Sequence, residues 1–352
     1  MKKFIIILLL FSCVLLAQAQ KQVRLFSADH PYIQFTGRVD HSNPKLPRFW
    51  QPGVYFNFRF TGSSCEIILH DEILWGKSHN YIEVVLDGKP IRMQTKNAID
   101  TIKFYNLKRG KHTLLICKNT EANIGFLALA GIRCESLIKS TRKPSRKIEF
   151  IGNSITSAQG VDNSLIPCGT KEWYDQHSAY FGYGAVTSRA LNAQYHLSSV
   201  SGIGLMHSCC NLEIIMPLVY DKVSMRNDTI PWNFKNYQPD VVTVCLGQND
   251  GIQDSIIFLS NYIAFINQLR TYYPNSSIIC LTSPMANDAL RLFMRNILKT
   301  VVETFHTSGD KKVYSFIFEK QYIKGCDSHP SMQDHKEIAT LLTAFIKQKM
   351  NW

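Results

Sequence analysis

Four polar blocks each follow a short apolar run, and each carries a residue type that nucleophilic acyl transfer would need. In KIEFIGNSITSAQG, Lys147–Gly160, Ser154 stands at the tip of a glycine turn after Ile148-Glu149-Phe150-Ile151. A serine there is lifted off a sheet edge, with a helix N-terminus nearby to favour an anion. Taken alone, Ser154 reads better as a helix N-cap. Ser201-Gly202-Ile203-Gly204 follows YHLSSV, where the Gly202 N–H could meet a developing oxyanion or simply form a turn. Gly247-Gln248-Asn249-Asp250-Gly251 follows DVVTVCL. The Asn249 amide can donate to a negative oxygen without bringing charge, although Asn/Asp-Gly loops are common as plain turns. After VYSFIF comes GCDSHPSMQDHKEIATLL, in which His329 precedes Pro330 and then a helix. From there His329 could reach Ser154 and take its proton. His335 falls on the helix itself and reads as a surface or packing residue. Each block alone has a bland explanation. At four successive strand ends, a serine nucleophile with a base and an oxyanion hole accounts for all of them.

The elements that must carry these blocks change character along the chain. From about Val23 to Cys134 the pattern is strand and turn only. VYFNFRFTGSSCEIIL alternates and is expected to turn at Thr61-Gly62, and YIEVVLDGKPIRM reads as a hairpin about Asp87-Gly88. HTLLICKN and GFLALAGIRC complete a set of short strands that suggests an all-β jelly-roll sandwich. Lys139–Lys147, KSTRKPSRK, is basic, polar and proline-containing, and reads as a linker. Beyond it, apolar strands alternate with helical segments at Tyr183–Leu191, Ser260–Tyr273, Ala289–His306 and Gln333–Lys349. That alternation predicts a parallel sheet with helices on both faces, whose ligands sit beyond the carboxyl ends of the strands.

Bulk properties agree with two folded domains. The chain has 352 residues, 45% hydrophobic and 19% charged, which excludes a disordered protein. Lys2-Lys3, the apolar run Phe4–Leu16 and Ala17-Gln18-Ala19 form the three regions of a secretory signal, residues 1–19. Cys13 loosely resembles a lipoprotein cysteine, but the apolar run continues past it and favours cleavage after Ala19. The expectation is therefore an exported protein, periplasmic or extracellular, with no transmembrane segment in the mature chain. Two of the +12 net charges, Lys2 and Lys3, leave with the signal. The remaining basic residues are scattered and form no nucleic-acid motif, so the charge reads as tolerance of anionic surroundings. Ten cysteines include Cys13, leaving an odd number and so at least one free or intermolecular thiol. Cys117, Cys245 and Cys280 sit inside apolar runs, as buried free thiols do. No metal-site pattern is present, and neither disulfide pairing nor oligomeric state can be read.

Together the four blocks resemble the SGNH (GDSL-like) hydrolase superfamily, named for its serine, glycine, asparagine and histidine. The resemblance spans Ile148–Lys349 and implies a three-layer α/β fold with a flavodoxin-like parallel sheet over residues 148–352. It implies Ser154 as nucleophile and His329 as base, with the Ser154 and Gly202 N–H groups and the Asn249 amide as oxyanion hole. No cofactor is implied. The whole chain is similar more narrowly to carbohydrate esterase family 2, in which an N-terminal jelly-roll, here residues 20–138, precedes the hydrolase domain across a linker at 139–147. Gly110–Ile132, GKHTLLICKNTEANIGFLALAGI, and Pro231–Asp250, PWNFKNYQPDVVTVCLGQND, carry that likeness. The implied activity is removal of O-acetyl groups from xylan- or mannan-type polysaccharides or oligosaccharides, with an acetylated glycan as partner.

Three departures bear on the site. Asn153 stands where many members have aspartate, and Cys326 stands where the family has an acid three residues before the histidine. Asp327, two residues before His329, is the candidate third catalytic member, beside a backbone carbonyl as the other means of orienting the histidine. Ser328 replaces an aromatic that often lines the sugar site. Trp173, in a polar loop, is the candidate substrate-binding aromatic, whereas Tyr174, Tyr180, Trp232 and Phe234 each read better as core. Two other readings stay open: a lipase or arylesterase of the same superfamily, and a glycan-binding surface protein without activity.

Overall fold

The computed structural model describes residues 22–226 and 230–352, so the expected signal peptide with Cys13 lies outside the described residues. Among the described residues no helix is long and apolar enough to cross a membrane.

The N-terminal half is a ten-stranded antiparallel assembly threaded by one 17-residue strand, Tyr55–Asp71. Its first half pairs with Gly110–Lys118 and its second half with Ile99–Phe104, while Leu127–Ile138 runs beside most of it. The expected turn at Thr61-Gly62 is therefore a correction: the strand continues through it. Buried positions run Phe56, Phe58, Phe60 and then Cys65, Ile67, Leu69, so the inward parity changes across Gly62–Ser64. The partner strand shifts register there too, between Cys134 and Ser136. Four residue steps from Thr61 to Cys65 face two from Ser136 to Cys134, so a bulge absorbs two extra residues and bends the strand while keeping its apolar face inward, which a turn signal in the sequence cannot distinguish from a reversal. The Asp87-Gly88 hairpin forms as expected, with Leu86 opposite Lys89.

The C-terminal half is a five-stranded parallel sheet. From one edge the strands are Ala193–Ser199, Arg146–Gly152, Val241–Cys245, Ser277–Leu281 and Val313–Phe316. The chain thus starts one strand in from the edge, adds the edge strand, then crosses back to the other side. Strands covered on both faces read as unbroken apolar runs, and the residues of the three central strands are buried almost throughout. One face packs Val242, Val244 and Cys280 against the helices Ser255–Tyr272 and Asp288–Thr307. The other packs Phe150, Val241 and Ile279 against Tyr183–Ala190 and Met332–Met350. The Ser255–Tyr272 helix begins earlier than the expected Ser260 because the Asp254 carboxylate accepts from the Ile256 and Ile257 N–H groups. Those two isoleucines are exposed, so they break the apolar periodicity that would have marked the helix start.

The two halves are locked by a buried ion pair. Arg38, from the all-β half, donates to Glu149 in the first parallel strand at 3.0 Å, and neither side chain is more than 1% exposed. Glu149 also accepts from Ser198 Oγ (2.5 Å), Tyr220 Oη (3.0 Å) and Tyr273 Oη (2.5 Å). Such a pair adds little over an apolar replacement, but removing one partner strands the other at about 3–5 kcal/mol. Of the expected linker, Arg146 and Lys147 belong to the first parallel strand and Lys143 is half-buried, with its Nζ donating to the Phe35 carbonyl.

Candidate active site

The first and third parallel strands end side by side, Gly152 paired with Cys245, at the point where the chain's direction of winding reverses. Crevices at such points are where open α/β sheets bind ligands. Immediately beyond Gly152, the short helix Ser154–Ser157 begins, and its cap is Asn153, whose side-chain oxygen accepts from Ile155 N–H at 3.1 Å. Ser154 is thus the first helical residue, not the cap. Gly152 cannot carry a side chain here, since a Cβ would stand 2.1 Å from Thr156 Oγ1.

Ser154 Oγ lies 2.9 Å from His329 Nε2. The other ring nitrogen, Nδ1, lies 3.0 Å from a main-chain oxygen, that of Asp327. A carbonyl can only accept, so the ring proton sits on Nδ1 and Nε2 presents its lone pair to the serine. Burial depresses the His329 pKa below that of an ordinary imidazole, partly offset by the hydrogen bond to Asp327, which keeps the ring neutral around neutral pH. The Asp327 carboxylate is exposed and makes no hydrogen bond to His329; the residue reaches the histidine through its backbone.

The histidine loop is shaped by unusual means. Asp327 and Ser328 both adopt left-handed backbone, φ 53° and 56°. Gly325 N–H donates to the His329 carbonyl at 2.7 Å, and Cys326 N–H donates to the Gly160 carbonyl at 3.0 Å. That contact explains Gly160: a Cβ there would meet the Cys326 oxygen at 2.5 Å. Cys326 is bonded to Cys168, 158 residues away, so a covalent crosslink occupies the position where the superfamily pattern carries its acid. The bond ties the histidine loop to the segment that carries Trp173.

On the other side, the Gly202 N–H donates to no group among the described residues. Asn249 Nδ2 donates to the Ile203 carbonyl at 2.8 Å, which fixes the amide and leaves its second N–H available. Asp250, the next residue, is buried and accepts from three successive backbone N–H groups, Leu205 (3.0 Å), Met206 (2.7 Å) and His207 (2.9 Å). It stitches the glycine loop to the asparagine loop.

Ser154, Gly202, Asn249, His329 and Trp173 line one cleft of about 470 Å³. Trp173 is 41% exposed at its rim, edge-on to His177 with ring centroids 4.9 Å apart. Tyr174 and Trp232 are buried in packing clusters instead, and Phe234 packs there too. His335 is a packing residue, fully buried with Nδ1 accepting from Tyr183 N–H at 3.0 Å.

The cleft also holds residues that the strand-end blocks did not suggest. Glu121 and Asn123 reach it from the all-β half. Glu121 is fully buried, and its Oε2 accepts from Ser201 N–H at 2.7 Å and from Ser157 Oγ at 3.2 Å. It therefore bridges the serine helix and the glycine loop, and burial raises its pKa. Behind it the Lys118 ammonium donates to the Thr120 and Glu121 carbonyls at 2.7 and 3.0 Å, its pKa pushed down to about 7 by burial. A signal existed: Lys118-Asn119-Thr120-Glu121 is a polar run directly after an apolar strand, and a core has no use for one. No cluster of groups able to hold a metal ion occurs among the described residues.

With this geometry in hand, the chain can be set beside known proteins. Residues 35–144 match the family model described as Carbohydrate esterase 2 N-terminal. The Cellulase/esterase CelE of Acetivibrio thermocellus is 32% identical over 341 residues, 92% of this chain, and the chain spans 40% of the length of that relative. The Acetylxylan esterase / glucomannan deacetylase of Cellvibrio japonicus is 24% identical over 370 residues, and the match covers 100% of both chains. A solved family two carbohydrate esterase from Clostridium thermocellum, in complex with cellohexaose, superposes with a TM-score of 0.83 at 30% identity, over 91% of this chain and 99% of that one.

Proposed function

Since the chain belongs to carbohydrate esterase family 2, a family of carboxylic ester hydrolases, we propose that it removes O-acetyl groups from glycans through an acyl-enzyme on Ser154. The observation that carries this reading is the relay of two contacts, 2.9 Å from Ser154 Oγ to His329 Nε2 and 3.0 Å from Nδ1 to the Asp327 carbonyl. Ser154 Oγ attacks the acetyl carbonyl while His329 Nε2 takes its proton. The carbonyl oxygen, now negative, receives the Gly202 N–H, the free Asn249 N–H and the Ser154 N–H. His329 returns the proton to the departing sugar oxygen, and the alcohol leaves. Water, deprotonated by the same nitrogen, then attacks the acetyl-serine and releases acetate. The Asp327 carbonyl holds the tautomer and orientation throughout, in place of a carboxylate.

For substrates we adopt the xylan- and glucomannan-type esters named for the Cellvibrio japonicus relative. Trp173, exposed at the rim, offers a face to the CH surface of a sugar. We place the activity outside the cytoplasm, which the expected signal at residues 1–19 and the Cys168–Cys326 disulfide both fit. We assign residues 20–138 to a jelly-roll sandwich and 148–352 to the hydrolase domain. The test is acetate release from acetylated xylan and glucomannan, with octanoyl nitrophenyl ester as control. Release from the glycans by the wild type and not by Ser154→Ala supports the reading; preference for the long acyl ester refutes it.

A further inference from the structure

The cleft does not end at the oxyanion hole. Asn123 and Leu212, which line it, also line a second hollow of about 490 Å³ that runs on between the two halves of the chain. Leu212 stands beside the oxyanion glycine, since a Cβ on Gly202 would lie 3.9 Å from its Cδ2. The two hollows therefore form one groove that starts at the reacting ester and reaches Trp75. At 81%, Trp75 is the most exposed large apolar side chain among the described residues. We propose that the outer part of this groove is a subsite for the glycan backbone, in which neutral sugar units neighbouring the acetylated one stack on Trp75.

The indole is held in place before any ligand arrives. Trp75 tips a tight loop closed by an antiparallel bridge between Leu74 and Ser78. Within it Gly76 N–H donates to the Ile73 carbonyl at 2.8 Å and Ser78 N–H to the Leu74 carbonyl at 3.0 Å. At the base, the Asp71 carboxylate accepts from Ile73 N–H at 3.2 Å and Asn80 N–H at 3.1 Å. Ile73 and Trp75 take left-handed backbone, φ 46° and 60°, which β-branched and bulky residues adopt only when their surroundings impose it. A ring fixed in this way loses little freedom on binding. It gains by being covered, and a pyranose covers it with CH groups while its hydroxyls stay in water. The rest of the lining suits a neutral chain. The groove's one carboxylate and one guanidinium, Glu72 and Arg226, are paired with each other at 3.2 Å, so it offers an ionic ligand no net charge. Asn123, where groove and cleft join, carries an amide that makes no hydrogen bond among the described residues. An amide donates and accepts, as a sugar hydroxyl does. That the occupant is a glycan rests on the esterase reading above; the continuity and charge of the groove do not.

A subsite of this kind makes affinity depend on chain length. The test measures binding by calorimetry to the full-length Ser154→Ala protein, so that deacetylation cannot intervene, with and without Trp75→Ala. The probes are acetylated xylobiose and xylohexaose, and acetylated mannobiose and mannohexaose. The proposal expects at least one hexaose to bind about fivefold or more tighter than its biose. Trp75→Ala should remove most of that gain and leave the biose within about twofold, whereas Trp75→Phe, which keeps an aromatic face, should retain most of it. In the active enzyme, Trp75→Ala should raise KM for that hexaose about fivefold while kcat holds. Hexaose and biose bound alike, or a gain that survives Trp75→Ala, overturns the proposal. Loss of octanoyl nitrophenyl ester turnover in Trp75→Ala overturns it too, since the groove would then be an acyl channel. So does a change of oligomeric state by light scattering, which would make the groove an interface between copies. Hexaose binding that depends on Trp75, in a protein that releases no acetate, would uphold the subsite and refute the esterase reading. Acetate release with no dependence on Trp75 would do the reverse.

Discussion

The serine side and the histidine side of the cleft are held in place by different means. Ser154, Gly202 and Asn249 sit directly at the ends of adjacent strands, and buried carboxylates tie them together: Glu121 joins the serine helix to the glycine loop, and Asp250 joins that loop to the asparagine. His329 stands on a loop 13 residues past the end of the last strand at Phe316, with no carboxylate holding its ring. Its orientation comes from a backbone carbonyl, two left-handed residues and a covalent bond. A side-chain acid orients a histidine by charge and can do so from a flexible loop. A carbonyl orients it by position alone, so the backbone must be held, and Cys326 does that from the place an acid would occupy.

This contrast can be broken or sharpened in order of expected effect. Ser154→Ala should lower kcat by about 10⁴-fold or more, read as acetate release, since removal of a nucleophile abolishes the acyl route. Asn249→Ala should cost about 10²–10³ in kcat with KM little changed, as for loss of one oxyanion donor. Glu121→Ala removes no reacting group, yet should lower kcat about tenfold by leaving the Ser201 N–H unpaired, at about 1–3 kcal/mol, while Ser157 Oγ keeps its bond to Ser199 Oγ. Glu121→Gln, which keeps an accepting oxygen, should restore most of it; equal loss in both would deny the positioning role. On the histidine side, Cys168→Ser with Cys326→Ser should lower kcat severalfold and stability by about 2–4 kcal/mol, measured by denaturant unfolding. A thermal shift with unchanged kcat would show that the crosslink serves the fold alone.

Asp327→Asn gives the smallest expected change, within about twofold, because a kcal-scale loss would require a direct contact that the carboxylate does not make. The pH profile sharpens the same point. The His329 pKa is depressed, so the active neutral ring persists to lower pH than a free imidazole, and kcat/KM should fall only as pH drops through a value below 6.5. A midpoint above 6.5 that drops in Asp327→Asn would restore the carboxylate to the mechanism.

Legibility in the sequence followed the same division. The strand ends were readable because each block is local: an apolar run, a glycine, then one polar residue, with the next residues starting a helix or turn. Asn153 was readable as a shaping amide, and it is the cap. What escaped was whatever depends on distant chain meeting distant chain. Glu121 reaches the cleft from the other half of the molecule, and nothing near Ser154 announces it. The partner of Cys326 lies 158 residues away among eight candidates outside the expected signal. The same reason accounts for the strand through Gly62, where only the pairing of Leu127–Ile138 across it distinguishes a bulge from a turn.

The central claim is that Ser154 carries the acetyl group between glycan and water. Rapid acid quenching of the enzyme during turnover of an acetylated xylo-oligosaccharide, followed by peptide mass spectrometry, tests it directly. Acetyl on the peptide containing Ser154, absent from Ser154→Ala and formed far more slowly when His329 is replaced by alanine, is the result predicted. Turnover with no acetyl on Ser154, in a protein whose Ser154→Ala variant still releases acetate, would contradict it.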